Sequence, residues 1–279
     1  MLKKCIDWAQ QENTIRSLIL TGSRARNETI DFLADYDLSL FVADASKYIL
    51  NNAWLATLGN TWVVVADHIQ VNGTQYPTRL VIFEGGIKVD FTFYDVAVLK
   101  TLEPDNDLYK RFAHGCKVLL DKDALTTLLT VAPLKKIVPE KPSQQEFETI
   151  VNEFFFEVYH VAKYLHRNDL WHAKFRDWAA KEFLLRMIEW HERTHNGWNY
   201  NTYYLGVHMP SWISSETWND LQQTFGHFDA QDSWQALHAT IALFRKLATQ
   251  TAHALGYAYP SNVDKNITSF VREIRVKGR

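Results

Sequence analysis

The chain of 279 residues lacks the features that mark several classes of protein. It contains only two cysteines, Cys5 and Cys116, and no spacing typical of a disulfide framework. One disulfide is compatible with this count, but two reduced thiols in a cytosolic protein are the favoured interpretation. Acidic and basic residues nearly balance, at 32 against 30, so the sequence has no basic excess of the kind that general nucleic-acid binders show.

Long apolar segments are also missing from the sequence. No run approaches the roughly 18 apolar residues of a membrane-spanning helix. Charged residues and glutamine interrupt the first ten positions, which argues against a signal peptide. We therefore expect a cytoplasmic protein that binds neither membranes nor nucleic acid. These patterns leave the oligomeric state open.

The residues that are present indicate a folded protein of two domains. Hydrophobic residues make up 47% of the chain and charged residues 22%, which is typical of globular proteins. The first half alternates strand and helix patterns, whereas the pattern after the stiff segment Pro139–Pro142 is helical. This predicts an α+β protein, with a mixed-sheet domain over residues 1–138 and a helical bundle domain over residues 139–279.

Apolar periodicity and turn residues place the individual elements. Gly85-Gly86 predicts a hairpin, and Ser143 with Glu146 three residues later predicts a capping box at the start of the helical half. The predicted strands are Ile15–Leu20, Asp37–Val42, Trp62–Val65, Thr78–Glu84 and Ile87–Tyr94. The predicted helices are Cys5–Asn13, Tyr48–Leu58, Gln145–Arg167, Leu170–His195, Ser215–Gly226 and Ser233–Leu255.

The chemistry-bearing residues of the first half follow a glycine turn. Gly22-Ser23 comes directly after the first strand, and Asp35 and Asp37 stand two apart at the next strand, so they should project from one face. Asp90 lies on the polar face of a later strand that could pair with it. Three converging carboxylates suit the binding of Mg²⁺ in nucleotidyl transfer.

Three further residues suit the phosphates of a nucleoside triphosphate. Gly22 and Ser23 would offer backbone N–H groups and a hydroxyl, since glycine permits close approach. Arg24 would add a cationic fork.

In these residues and in further segments, the chain resembles a known family. This family is the streptomycin (aminoglycoside) 6-adenylyltransferases of the DNA polymerase β-like nucleotidyltransferase superfamily. The turn and the Asp-Tyr-Asp motif are specific only for the superfamily, whereas segments of the helical half point to the family. The segments that carry the resemblance, over about residues 15 to 275, are Gly22–Ala25, Asp35–Asp37, Trp54-Leu55, Gly59-Asn60, Glu153-Phe154, Lys163 to Asp169, Leu184–Trp190, Leu243–Arg245, Tyr257–Pro260 and Asn266–Thr268.

The resemblance implies transfer of AMP from ATP to a hydroxyl of the streptidine ring of streptomycin. It implies an N-terminal polymerase β-like nucleotidyltransferase domain in which Asp35, Asp37 and Asp90 are catalytic and bind Mg²⁺, and Asp90 helps to deprotonate the acceptor. Lys163 is the candidate for a triphosphate contact.

Acidic residues of the helical half are candidates for contacts with a cationic aminoglycoside. They are Asp169, Asp177 and Glu182. Exposed acids on amphipathic helices are more often simply solvated.

The sequence departs from the family pattern at two places. The segment Tyr203–His208 lacks the lysines expected for a phosphate clamp, so the nucleotide is left open. Phe183 stands where a carboxylate is expected, and Glu182 is displaced by about 100° around the helix. The alternatives are a different acceptor or nucleotide, or a weakly active ligand-binding homologue.

A second motif points elsewhere. His191–His195 fits the H-E-x-x-H pattern of zinc peptidases. No third ligand follows at a familiar spacing, and histidine in a last helical turn also suits the helix dipole. We therefore expect no zinc site here.

Overall fold

The computed structural model describes residues 1–26, 31–103, 106–113, 115–130 and 138–277. It divides into two compact units, Met1–Ile137 and Val138–Arg279. The N-terminal unit combines a mixed sheet with short helices, and the C-terminal unit is helical. This arrangement confirms the predicted α+β fold class.

The elements of the N-terminal unit follow the predicted alternation of helix and strand. The strands are β1 (Ile15–Thr21), β2 (Tyr36–Val42), β3 (Thr61–Val71), β4 (Thr74–Phe83), β5 (Ile87–Asp95) and β6 (Lys117–Asp121). The helices are α1 (Leu2–Gln11), α2 (Gly22–Ala25), α3 (Ser46–Ile49), α4 (Ala97–Lys100), α5 (Asp107–Ala113) and α6 (Thr127–Thr130). Within the described residues the strands form one sheet of order β3–β4–β5–β2–β1–β6. In this sheet β2 and β5 are parallel, and the other neighbours are antiparallel.

The sheet is covered on both faces, because its central strands alternate between two buried sets of side chains. On one face, Phe93 packs edge-on against Trp54, with ring centroids 5.8 Å apart. On the other face, Tyr94 stacks on Phe41 at 5.0 Å, and Phe112 of α5 packs beside them. The strands β2 and β5 are therefore held between two apolar layers. Their polar residues Asp37 and Asp90 lie near the N-terminal ends of the strands.

The predicted hairpin between β4 and β5 is confirmed. Gly85 and Gly86 have φ angles of 82° and 75°, a left-handed conformation that glycine adopts without side-chain strain. The register places Thr78 opposite Thr92 and Leu80 opposite Asp90.

The prediction of one helix over Tyr48–Leu58 is wrong. The structure has α3 at Ser46–Ile49 and a separate 3₁₀ turn at Ala53–Thr57. Arg79 of β4 donates hydrogen bonds to the Ile49 carbonyl and to Oδ1 of Asn52 in the break between them. Because these bonds come from a strand distant in sequence, local helix propensity does not determine the conformation of this segment.

Long helices dominate the C-terminal unit. They are α7 (Gln144–His166), α8 (Leu170–Asn196), α9 (Ser215–Gln222), α10 (Ala230–Leu255) and α11 (Ser261–Lys277), with a 3₁₀ turn at Met209–Ser211. The predicted capping box is confirmed, since the Ser143 hydroxyl accepts from Glu146 N and the Glu146 carboxylate accepts from Ser143 N at 2.7 Å. In the core, Phe154 of α7 stacks on Phe244 of α10 with centroids 3.6 Å apart.

The observed helices of this unit differ from the predicted ones in two ways. The helix α9 ends at Gln222 rather than Gly226, and α11 was not predicted. In the part of the chain that the structure describes, no helix is long and apolar enough to cross a membrane.

Candidate active site

Gly22 makes the turn between β1 and α2, and its lack of a side chain matters there. Its φ is 72°, a conformation that costs non-glycine residues roughly 1–2 kcal/mol. A Cβ at this position would also overlap Oδ2 of Asp37. Glycine is thus required both by the backbone and by the carboxylate that packs against it.

Two of the predicted carboxylates are direct neighbours across the sheet. The parallel register pairs Asp37 of β2 with Asp90 of β5. Asp35 immediately precedes β2. The expectation that the Asp90 strand neighbours the Asp35/Asp37 strand is confirmed, and the three aspartates lie at one place in the N-terminal unit.

Lys88 connects two of these carboxylates. Its Nζ donates to Oδ2 of Asp35 at 2.6 Å and to Oδ2 of Asp90 at 2.9 Å. Burial alone would lower the pKa of Lys88, but the hydrogen bonds to Asp35 and Asp90 outweigh it and hold that pKa above its ordinary value. The signal for Lys88 in the sequence was its i, i+2 spacing from Asp90, which places both side chains on one face of the strand.

The site carries an excess of negative charge. Burial, together with the charges of Asp90 and Asp35, raises the pKa of Asp37. Oδ1 of Asp90 is buried and, among the described residues, has no hydrogen-bond partner. The positive charges of Lys88 and Arg111 offset the rise in the pKa of Asp37 only in part.

These features fit a divalent cation, because it would offset both the repulsion and the unsatisfied oxygen. In the described ranges, no three histidine, cysteine, aspartate or glutamate side chains form a ready metal cluster. Oxygens of Asp35 and Asp90 are bound to Lys88 instead.

Arg24 lies close to the carboxylates but contacts the backbone. Its guanidinium donates to the Ala34 carbonyl at 2.7 Å and to the Asp35 carbonyl at 3.1 Å, and it stacks over the Tyr36 ring at 4.0 Å. Arg24 therefore braces the segment that presents Asp35. Its predicted contact with phosphate stays a prediction, as does that of the half-buried Ser23 in α2.

Two of the remaining predicted residues have partners within the C-terminal unit. Lys163 lies on α7, with its Nζ 5.4 Å from the ring centroid of Tyr164. Asp177 of α8 is paired at 2.7 Å with Lys181, whose side chain is only 6% exposed and which also donates to Thr240. The Asp177 carboxylate thus already forms an ion pair within the C-terminal unit.

The other two predicted acids lie at the surface. Asp169 is exposed at the N-cap of α8 and makes no side-chain cap bond. Glu182 is exposed on the same helix, whereas the adjacent Phe183 packs against the core. The substrate contacts of all these residues remain predictions.

The segment that lacks the expected lysines has an unusual backbone. Tyr203, Leu205 and His208 have φ angles of 55°, 48° and 55°. Side-chain amides and aromatic rings line an adjacent cavity of about 430 Å³. Its lining residues are Asn196, Asn199, Tyr200, Asn201, Tyr203, Ser211 and Trp212.

The H-E-x-x-H motif lies at the end of α8, and its histidines have other partners. The rings of His191 and His195 are 4.4 Å apart. Nδ1 of His191 is 3.3 Å from the Glu192 carboxylate, and its Nε2 is 2.9 Å from Oε1 of Gln250. Both nitrogens of His191 thus have partners within the C-terminal unit, and the expectation of no zinc site stays a prediction.

Comparison with known proteins identifies the family. The sequence pattern of the streptomycin adenylyltransferase family matches residues 1–274. The chain belongs to this family. Membership makes it an enzyme of the nucleotidyltransferase class.

Individual members of the family are similar over nearly their whole length. An aminoglycoside 6-adenylyltransferase of Bacillus subtilis (strain 168) is 28% identical, over 98% of this chain and 96% of its own length. The enzymes of that name from Staphylococcus aureus and Campylobacter jejuni are 27% and 26% identical, over 95% of this chain and 94% and 91% of theirs. A solved aminoglycoside 6-adenyltransferase from Bacillus subtilis covers 99% of this chain and 97% of that one, at 26% identity and a TM-score of 0.48.

Three segments that carry the family resemblance meet in one hydrogen-bonded group around Asp264. Arg245 of α10 donates to both carboxylate oxygens of Asp264 and, at 2.8 Å, to the hydroxyl of Thr268 on α11. Tyr259 also donates to Asp264, at 2.9 Å. These family residues therefore join α10 to α11.

Replacing Gly22 by alanine tests the contact between the turn and Asp37. Gly73 is a matched control, since its φ of 74° is nearly the same but a Cβ there meets nothing within 4 Å. We expect Gly22→Ala to lower the Tm more than Gly73→Ala, by at least the 2–4 °C that about 1 kcal/mol produces in a chain of 150–250 residues. If Gly22→Ala and Gly73→Ala lower the Tm equally, the overlap with Asp37 does not contribute to the loss of stability.

Removing the charge of Asp37 should stabilise the metal-free protein. The pKa of Asp37 is higher in the folded state than in the unfolded chain, so its ionised form opposes folding at every pH above the unfolded value. We expect Asp37→Asn to raise the Tm near neutral pH. The gain should shrink as the pH falls through the raised pKa and vanish below about 3.9, the ordinary aspartate pKa. A lower Tm than wild type at neutral pH in EDTA would contradict this account.

Proposed function

We propose that this protein transfers AMP from ATP, with Mg²⁺ as cofactor, to a hydroxyl of an aminoglycoside, namely the position-6 hydroxyl of streptomycin. The observation that carries the proposal is the carboxylate cluster beside Gly22, in a chain whose relatives are named aminoglycoside 6-adenylyltransferases. Such transfer would confer resistance to the antibiotic. ATP is a cytoplasmic compound, so we place the reaction in the cytoplasm.

Asp35, Asp37 and Asp90 are the residues that would hold the metal. When bound, Mg²⁺ supplies positive charge to the phosphate oxygens as transfer proceeds. Asp37 is fixed by the strand register and by contact with Gly22, while Arg24 positions Asp35 through its backbone carbonyl. We assign Asp90 the role of accepting the proton of the acceptor hydroxyl, and its Oδ1 has no hydrogen-bond partner among the described residues.

The nucleotide would be bound mainly through its phosphates. Gly22 and Ser23 present backbone N–H groups beside Asp37, and the missing Cβ of Gly22 permits close approach. We assign Lys163 a contact with the triphosphate, although its ammonium lies near the rings of Tyr159 and Tyr164 in this structure.

The acceptor would use an aromatic surface on α8. Trp171, Phe175 and Trp178 follow the i, i+4, i+7 spacing of one helical face, and their exposed fractions are 82%, 65% and 63%. The ring of Phe228 stands 6.3 Å from that of Trp171. Exposed rings at this spacing suit a ligand that combines sugar rings with cationic groups, because such groups bind aromatic faces.

Acidic residues stand at the two ends of this aromatic surface. Glu182 follows Trp178 by four residues, on the same helical face, and Asp169 is the N-cap residue just before α8. Both are exposed, whereas Asp177 is neutralised by Lys181. The surface therefore offers rings between carboxylates, a combination suited to the guanidinium groups of streptidine.

The carboxylates can be tested by conservative substitution. We expect Asp35→Asn and Asp37→Asn each to reduce AMP transfer by at least about 100-fold, because the metal site loses a charge while the fold is kept. Asp67→Asn is the control, since this aspartate is half-exposed on β3 of the same sheet. Transfer would be followed by mass spectrometry of the acceptor, and folding by circular dichroism.

A panel of acceptors and nucleotides decides the specificity. Streptomycin should gain the mass of one AMP with Mg·ATP, and a smaller fraction of it should gain the mass of one GMP with Mg·GTP. Labelling of another aminoglycoside or of a protein hydroxyl, with streptomycin unlabelled, would overturn the acceptor. Wild-type turnover in either asparagine variant would overturn the metal assignment.

The aromatic surface makes a separate prediction. We expect Trp178→Ala to raise the KM for streptomycin about tenfold, with little change in the KM for ATP, because a cation–π contact is worth about 1 kcal/mol or more. Trp62→Ala is a matched control, since Trp62 is 59% exposed but lies on β3. An unchanged streptomycin KM in Trp178→Ala would place the acceptor elsewhere.

A further inference from the structure

Lys88 is hydrogen-bonded to two of the three carboxylates of the site. Its ammonium binds one oxygen of Asp90, two residues away on β5, and one oxygen of Asp35, 53 residues away in the chain. It makes no hydrogen bond to Asp37 among the described residues, and it leaves Oδ1 of Asp90 unsatisfied. One ammonium therefore neutralises the cluster only in part.

The same oxygens cannot serve an ammonium and a metal ion together. Mg²⁺ binds carboxylate oxygen at about 2.0–2.1 Å, and two cations sharing these oxygens would repel each other. Lys88 can move away, because its side chain is 35% exposed and lysine has a flexible four-carbon stem. The backbone of Lys88 on β5 would stay in register with β4, opposite Ile82.

We propose that Lys88 is an internal counter-ion that exchanges with the metal. Without metal it holds Asp35 and Asp90 together. When metal and nucleotide bind, it leaves these oxygens and donates to a phosphate oxygen of the nucleotide. The second step rests on the proposed function. It would give the nucleotide a lysine from β5 in a chain whose Tyr203–His208 segment has none.

The counter-ion step can be tested without nucleotide, by titrating the protein with Mn²⁺ and following free Mn²⁺ by electron paramagnetic resonance. We expect Lys88→Met to bind Mn²⁺ about tenfold more tightly than wild type, because a competing charge is gone. In EDTA the variant should have a lower Tm, and Mn²⁺ should remove that deficit. Unchanged or weaker Mn²⁺ binding would overturn the proposal and make Lys88 a structural ion pair.

Lys246 provides a matched control for this experiment. Its Nζ also bridges two carboxylates, those of Glu216 at 2.6 Å and Asp220 at 3.0 Å, in the C-terminal unit. Lys246→Met should leave Mn²⁺ affinity unchanged. If Lys88→Met does not fold, Lys88→Arg replaces it. The retained charge should then keep Mn²⁺ affinity at the wild-type level, and tighter binding would count against the proposal.

The phosphate contact is measured separately, by calorimetry with a non-hydrolysable ATP analogue at saturating Mg²⁺. We expect the Lys88→Met variant to bind the analogue about tenfold more weakly than wild type does. The same variant should bind Mn²⁺ alone more tightly than wild type does. Equal analogue affinity in wild type and variant would overturn the phosphate contact. If wild type binds no analogue, the proposed function fails, whereas the Mn²⁺ titration still decides the counter-ion step.

Discussion

The parallel pairing of β2 with β5 is the constraint on which the candidate site depends. Its register sets Asp37 beside Asp90, and the apolar residues that follow on both strands hold that register between two buried layers. Because side chains alternate along a strand, a slip of one residue would turn Asp90 toward an apolar layer. The packing of the core thus specifies the position of the charges.

The surroundings of the carboxylates compensate for their proximity in different ways. Gly22 makes space for the carboxylate of Asp37, Arg24 fixes the backbone at Asp35, and Lys88 neutralises part of the charge. None of these contacts removes the burial and the repulsion that together raise the pKa of Asp37. The ionised carboxylates therefore lower the stability of the folded protein. Such a cost is typical of residues retained for binding rather than for stability.

Local patterns were sufficient for much of the architecture and for the carboxylates. Period-two alternation predicted that Asp90 lies on the polar face of its strand, and the capping box at Ser143 predicted where α7 begins. The failures come from contacts distant in sequence, which no local pattern contains. Arg79 of β4, for example, donates to the Ile49 carbonyl and interrupts the helix expected over Tyr48–Leu58. The bridging role of Lys88 likewise required the position of Asp35, which depends on tertiary structure.

The order of the strands also has a consequence for how the protein folds. The strands β3, β4 and β5 are joined by short turns, so they can pair from local contacts, whereas β2 and β5 must close a loop that spans the whole meander. Closing long loops is slow compared with hairpin formation. During synthesis, Asp35 and Asp37 emerge well before their partner strand. The nascent chain therefore carries these two aspartates without Asp90 and Lys88 until β5 has been made.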